Sequence, residues 1–322
     1  MKAAEQFRID GVVPIIPTPF TSEEQIDWPS LRHLIDFAVV SGACAVCLPA
    51  YASEFYKLSE EERHRIIAEA VSHASERIPV IAQVNYVSAR QAVESALYAQ
   101  ETGATAISSA VPRQFALGER DLYRYYDRIL SAINLPLIIQ DFNPGGPSIS
   151  PQFVARLNRV HPHFKYVKLE EPMMGPKVRS ILQETHGEVG VLEGWGGMYL
   201  LELIPEGICG VMPGLALTDI LVRVFRLVRN GQSNEAYSIF QVVLPQIVFS
   251  LQNLELFHHA EKLLLQARGV LPLATVREAS LEIDENSKNY ISFLNQRILD
   301  LLDQLHLPRS PALEHGIGHN IQ

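Results

Sequence analysis

Lys168 is the residue whose type and surroundings point most directly to covalent chemistry. It sits in Tyr166-Val167-Lys168-Leu169, a short apolar run of β character. If Val167 and Leu169 face outward, strand alternation turns Lys168 inward. A lysine inside a packed core is costly unless it is used. Desolvation lowers a lysine's pKa and frees the neutral amine, the form that attacks a ketone to make a Schiff base. The plainer reading is a lysine that snorkels at a strand end, or pairs with Glu170 or Glu171. Cys44-x-x-Cys47 has the spacing of a redox or zinc pair. On a strand, positions i and i+3 face opposite sides, so these thiols are not expected to meet. With Cys209, they read as small buried hydrophobes. His161-Pro-His163 and His258-His259 lie far away in a loop and a helix, so no metal site is expected. Gly194-Trp195-Gly196-Gly197 and Pro213-Gly214 allow close approach of a substrate to the backbone, or are simple tight turns. Lys262 and Arg268 share a helical stretch, Ala260–Arg268, and read as a solvated or subunit-facing surface.

These residues need elements to hold them. Short apolar runs recur at Val12–Ile16, Ala43–Leu48, Val80–Val84, Thr105–Ala110, Leu137–Ile139, Tyr166–Leu169, Gly190–Leu192 and Ile208–Met212. Such runs suit strands of a parallel sheet buried on both faces. Between them lie segments of helical period, such as Ser59–Ser75, Asp121–Ile133 and Ser150–His161. Ser59 followed by Glu62 forms a capping box. The pattern predicts an α/β fold, either a (β/α)8 TIM barrel or a doubly wound open sheet. The first turns are not Gly-x-Gly-x-x-Gly, which favours the barrel. Lys168 falls at the C-terminal end of its strand, where barrel active sites are built. From Thr218 to about Leu307 only helices follow, so the expected division is a barrel over 1–230 and a C-terminal helical extension over 231–322.

Composition narrows the function further. The chain has 322 residues, 47% apolar and 20% charged, the balance of a globular protein. Lys plus Arg is 27 and Asp plus Glu is 36, a net charge of −9. That acidity argues against nucleic acid or an anionic membrane as the main partner. Three cysteines cannot form a disulfide framework, which suits a reducing, cytoplasmic setting. The N-terminus lacks the apolar core of a signal peptide, and no stretch reaches the roughly 18 apolar residues of a spanning helix. The tail HGIGHNIQ is polar and expected to fray.

Several motifs together resemble the family of dihydrodipicolinate synthase and N-acetylneuraminate lyase, the class I Schiff-base lyases. They are Gly11-Val-Val-Pro-Ile-Ile-Pro-Thr-Pro-Phe20, Glu54 followed by Leu58-Ser59-Glu60-Glu61-Glu62-Arg63, Pro79-Val-Ile-Ala82, Tyr166-Val-Lys168 and Gly207-x-x-Gly210-Val211. The resemblance covers about residues 8–300. It implies a (β/α)8 barrel with a C-terminal helical domain, Lys168 as the Schiff-base lysine, no cofactor, and a homotetramer or dimer. An apolar contact face at Val242–Leu251 agrees with the homotetramer.

The chain also departs from the family. The family's Gly-Thr-Thr-Gly-Glu loop reads Ala50-Tyr51-Ala52-Ser53-Glu54. Ala52 and Ser53 retain backbone donors for a keto-acid carboxylate, but both threonine hydroxyls are gone. The family's Tyr-Asn-x-Pro aligns with Gln140-Asp141-Phe142-Asn143, so its proton-shuttle tyrosine is Gln140 here. The arginine some members use on a distal carboxylate falls near Gly145, and a family Tyr-Tyr aligns with Arg113-Gln114. Dihydrodipicolinate synthesis itself is not expected. The expected function is a Schiff-base-forming lyase, aldolase or dehydratase, acting on a 2-oxo acid such as a 2-keto-3-deoxy sugar acid. The alternative is a catalytically silent relative that binds keto acids. The expected catalytic residues are Lys168, Tyr51 and Asp141, with Tyr51 taking over part of the missing shuttle's work. A packing role for Tyr51 beside Phe55 and Tyr56 is the competing reading. The expected substrate-binding residues are Ala52, Ser53, Gln140, Gly194 and Pro213.

Overall fold

The computed structural model describes residues 7–113, 117–142 and 149–310. Eight strands form one parallel sheet: β1 (Gly11–Val12), β2 (Val46–Leu48), β3 (Val80–Gln83), β4 (Ala106–Ala110), β5 (Leu137–Phe142), β6 (Phe164–Glu170), β7 (Gly190–Glu193) and β8 (Gly210–Val211). Each falls within or across one of the apolar runs. The order is β1-β8-β7-β6-β5-β4-β3-β2. A parallel bridge between Ile15 and Cys47 closes the ring. There Ile16 N–H donates to the Cys47 carbonyl at 3.0 Å, and Cys47 N–H donates to the Pro14 carbonyl at 3.0 Å. The sheet is therefore the barrel and not the open alternative.

Burial on both faces explains why the strands read as unbroken apolar runs. Ile15, Cys47, Ile81, Ala106, Ile138, Tyr166, Leu192 and Met212 pack inside the ring. Val46, Ile107, Ile139, Val167, Leu169 and Val191 face the helices in a larger core. The outer layer is α1 (Trp28–Val40), α2 (Glu60–Ala74), α3 (Ala89–Thr102), α4 (Glu119–Ala132), α5 (Pro151–Val160), α6 (Met174–Glu184), α7 (Leu200–Leu203) and α8 (Thr218–Arg229). The capping box of α2 forms: Ser59 Oγ accepts from Glu62 N–H at 3.1 Å, and the Glu62 carboxylate accepts from Ser59 N–H at 2.9 Å. Such a cap stabilises a helix by about 1 kcal/mol. The buried face of α2 is Ile66, Ile67 and Ala70.

Three helices follow, α9 (Ser233–Ser250), α10 (Leu254–Ala267) and α11 (Glu285–Gln304). Helix α10 is bound to the barrel by buried charges. Arg268 forms a two-pronged pair with Asp219 at 3.0 and 2.6 Å and donates to the Ala216 carbonyl at 2.6 Å. Lys262 Nζ pairs with Glu54 and donates to the Thr275 carbonyl at 2.8 Å. The expected solvated face of Lys262 and Arg268 is thus corrected, since they are 1% and 2% exposed. Helical spacing shows that two residues share a face, but not that acidic partners wait opposite it. The Phe20 ring centroid lies 4.5 Å from Lys262 Nζ and 4.4 Å from the guanidinium of Arg277, a further cation packed here. No helix among the described residues is long and apolar enough to cross a membrane.

Candidate active site

A cavity of about 350 Å³ opens where the barrel strands end. Its floor comes from β5 and β6. Alternation along β6 turns Tyr166, Lys168 and Glu170 inward and Val167 and Leu169 outward. Lys168 is 4% exposed, and its Nζ lies 3.0 Å from Glu170 Oε1. In the strand register Lys168 sits beside Gln140 on β5 and Leu192 on β7. Gln140 Nε2 donates to both Glu170 oxygens, at 3.2 and 3.0 Å.

The walls come from loops. Gly194, after β7, is glycine for a steric reason. A Cβ there would lie 2.6 Å from Lys168 Cε and closer still to Glu170 Cγ. The preceding Glu193 is fully buried and accepts from the N–H groups of Gly197 at 2.8 Å and Tyr199 at 3.5 Å. Burial pushes its carboxyl up to about 7. Those bonds hold the turn that carries Trp195 to the cavity. Pro213 follows β8, and Leu251–Leu254 with Phe257 cover the opening from α9 and α10.

The loop after β2 is a short 3-10 turn over Tyr51–Ser53. Tyr51 and Ala52 line the cavity. The Tyr51 ring packs edge-on against Phe55 at 5.0 Å and lies tilted against Phe142 at 5.6 Å. Burial raises the Tyr51 phenol above its ordinary pKa, and the Glu170 charge raises it further, against Arg113.

The structure brings together Lys168, Tyr51, Ala52, Gln140, Gly194 and Pro213 around one cavity. It does not bring Ser53 or Asp141 there. Ser53 is fully buried, with Oγ donating to the Ile16 carbonyl at 2.6 Å and its N–H bound to the Ala50 carbonyl at 2.9 Å. Asp141 is one residue from Gln140, so its side chain takes the other face of β5. It is held there by Arg113 at 2.7 Å and Lys177 at 3.2 Å. Gln114, Asn143, Gly145 and the C-terminal tail lie outside the described residues. Glu170 is the site residue that sequence reasoning missed as a reactive group. The signal was present, because two residues along a strand is one full period.

The three cysteines are free. Burial pushes the thiols of Cys44, Cys47 and Cys209 up to about 11, 12 and 12, which leaves no thiolate nucleophile. Among the described residues, no group of three or more His, Cys, Asp or Glu side chains is arranged to hold a metal ion.

Residues 8–297 match the model of the dihydrodipicolinate synthetase family. Over 302 residues, 92% of this chain and 97% of the relative, the sequence is 25% identical to L-2-keto-3-deoxyarabonate dehydratase of Azospirillum brasilense. It is 30% identical over 236 residues to the 4-hydroxy-tetrahydrodipicolinate synthase of Chlorobium limicola, covering 72% of this chain and 78% of that one. Among solved structures, the prophage protein YagE of Escherichia coli K12, in complex with pyruvate, aligns with a TM-score of 0.79 and 24% identity over 92% of this chain and 99% of YagE.

Proposed function

We propose that this chain, which belongs to the dihydrodipicolinate synthetase family and is a lyase acting on a 2-oxo acid, works through a Schiff base, that Lys168 is its amine, that Glu170 moves the proton on C3, and that the reaction is a dehydration. The observation that carries this reading is the Glu170 carboxylate 3.0 Å from Lys168 Nζ, inside the same cavity. Lys168 Nζ adds to the C2 carbonyl, and loss of water gives an iminium. The iminium draws electrons from the C3–H bond, and Glu170 takes the proton. The resulting enamine expels the C4 hydroxyl, which leaves as water with the proton that Glu170 returns. Aldol cleavage would instead begin at the C4 hydroxyl proton, the proton served by the family's shuttle tyrosine. Gln140 stands at that position, and an amide cannot cycle a proton. The near full-length likeness to L-2-keto-3-deoxyarabonate dehydratase supports dehydration and a 2-keto-3-deoxy sugar acid as the substrate class.

Binding follows from the turn after β2. The N–H groups of Tyr51 and Ala52 open a 3-10 turn and so have no acceptor within it. They face the substrate carboxylate. The Tyr51 phenol, kept protonated by burial and by Glu170, donates to the substrate's C4 oxygen. The assembly is a cytoplasmic homotetramer on this reading. Free thiols suit a reducing compartment, and Tyr237, Val248, Tyr290 and Phe293 leave an exposed apolar face on α9 and α11. A light-scattering mass near that of one chain, 36.0 kDa, counts against the assembly.

The test pairs pyruvate trapping with a substrate panel. Borohydride with pyruvate should leave a reduced adduct on Lys168, located by peptide mass spectrometry and absent from Lys168→Ala. Glu170→Gln should keep the adduct and lose turnover of 2-keto-3-deoxy acids by about 10²–10⁴. An adduct that survives Lys168→Ala overturns the mechanism. An adduct with no turnover of any 3-deoxy acid supports the silent keto-acid binder.

A further inference from the structure

Behind Glu170, three side-chain amides cross the barrel interior from β5 to the segment after β3. Gln140 Nε2 donates to both Glu170 oxygens, at 3.2 and 3.0 Å. Gln140 Oε1 accepts from Gln83 Nε2 at 2.9 Å. The same Gln83 nitrogen donates to Asn85 Oδ1 at 2.8 Å. Asn85 Oδ1 also accepts from the backbone N–H of Ala110 at 2.9 Å.

An isolated amide can turn over and exchange its oxygen and nitrogen, so only its surroundings give it a direction. Here both ends of the string impose the same one. A backbone N–H can only donate, so Asn85 presents its oxygen to Ala110. Gln83 must then present its nitrogen, and Gln140 its oxygen to Gln83. That leaves the Gln140 nitrogen for the carboxylate, which accepts. The spare Gln83 oxygen lies 3.6 Å from Cys47 Sγ, a buried thiol that serves as its donor. Each of these hydrogen bonds therefore favours one orientation.

We propose that this one-way string of amides positions Glu170 for proton transfer, with Gln83 as a positioning residue that acts through Gln140. The proposal rests on the reading of Glu170 as the group that moves the C3 proton. Its chemical consequence concerns where that proton goes. When the C3–H bond of the iminium breaks, its electron pair forms the C2–C3 double bond of the enamine and the proton passes to a Glu170 oxygen. Gln140 meets that carboxylate with N–H groups and offers no lone pair. The proton has no acceptor on the barrel side and returns to the substrate. Gln83 is 5% exposed and does not line the cavity, so a direct role in binding is not required of it.

Pyruvate itself is a probe, because enamine formation exchanges its methyl protons with D2O, followed by NMR. Gln83→Glu has the shape of glutamine but, assayed at a pH where it is ionised, presents acceptors only. It cannot donate to Gln140 or Asn85, and it turns the Gln140 oxygen toward Glu170. The expected result is an exchange kcat lower by about 10- to 100-fold, the usual effect of losing a supporting hydrogen bond behind a reacting group. The KM for pyruvate should stay within about threefold, and the borohydride-trapped Lys168 adduct should persist, since amine and carboxylate-binding turn are untouched. Gln83→Met removes the donor without reversing the string and should lose less. Equal losses in the two variants, a change in KM alone, or wild-type exchange in Gln83→Glu overturns the proposal. If Gln83→Glu fails to fold, Gln83→Met decides alone: a lower kcat at constant KM supports the string, and an unchanged kcat overturns it. Absence of exchange or of the adduct in the unaltered protein instead sinks the reading of Lys168 and Glu170.

Discussion

Lys168 and Glu170 share one wall of the barrel because they are two residues apart on β6. Space for them exists because Gly194 has no side chain. In Gly194→Ala the new methyl would meet Lys168 Cε at 2.6 Å, so the lysine must leave its rotamer. An off-rotamer side chain costs about 1 kcal/mol. Trapping of pyruvate should therefore slow by about fivefold, measured as the rate of adduct appearance. Trapping at the wild-type rate would show that the pair has room to move. Tyr51→Phe tests a different atom. The ring contacts with Phe55 and Phe142 survive, and only the hydroxyl is lost. Adduct formation should persist while turnover falls by about 10²–10⁴. Near wild-type turnover would reduce Tyr51 to packing. What the sequence disclosed at this scale follows the strand period. Lys168, Gln140 and Gly194 were legible from alternation and motif. Asp141 was misplaced by a single position, which on a strand is the opposite face. Ser53 was misread as a backbone donor because its N–H is taken by the Ala50 carbonyl within the turn.

At the scale of elements, α10 does more than cover the barrel. Its Glu261 accepts from Ala216 N–H at 2.7 Å and occupies the space a side chain at Gly214 would need, in the loop that carries Pro213. Burial pushes the Glu261 carboxyl up from 4.5 to about 7. Between those values the folded protein holds a proton that the unfolded chain has lost, so this group's contribution to stability falls as pH rises through the window. Glu193, also raised to about 7, acts in the same direction. Thermal melting should show wild type losing stability from pH 5 to pH 8 and Glu261→Gln losing less of it. Equal losses in the two proteins would remove Glu261 from the effect. The eight strands and the helices between them were legible because each carries its own pattern of burial. The joining of α10 to the barrel was not. Lys262 finds Glu54, and Arg268 finds Asp219, across gaps that no local period records.

For the whole molecule, the ring is paired unevenly. Strands β5 and β6 pair at six positions, whereas β1 and β8 pair at two. The closure between β1 and β2 rests on the single Ile15–Cys47 bridge and the few backbone bonds around it. A closed barrel is often pictured as uniformly rigid, but a ring breathes first where it is sewn most thinly. The seam thus fixes an order of opening in time. Amides of Cys44, Cys47 and Ile16 should take up deuterium from solvent before those of Ile139, Val167 and Leu169, as read by peptide-resolved mass spectrometry. The reverse order would place the weak side of the ring elsewhere. Cys47 lies on that seam and also touches Gln83. Each opening therefore loosens the contact at Gln83, the middle of the amide string, and the seam's lifetime sets how long Glu170 stays aimed.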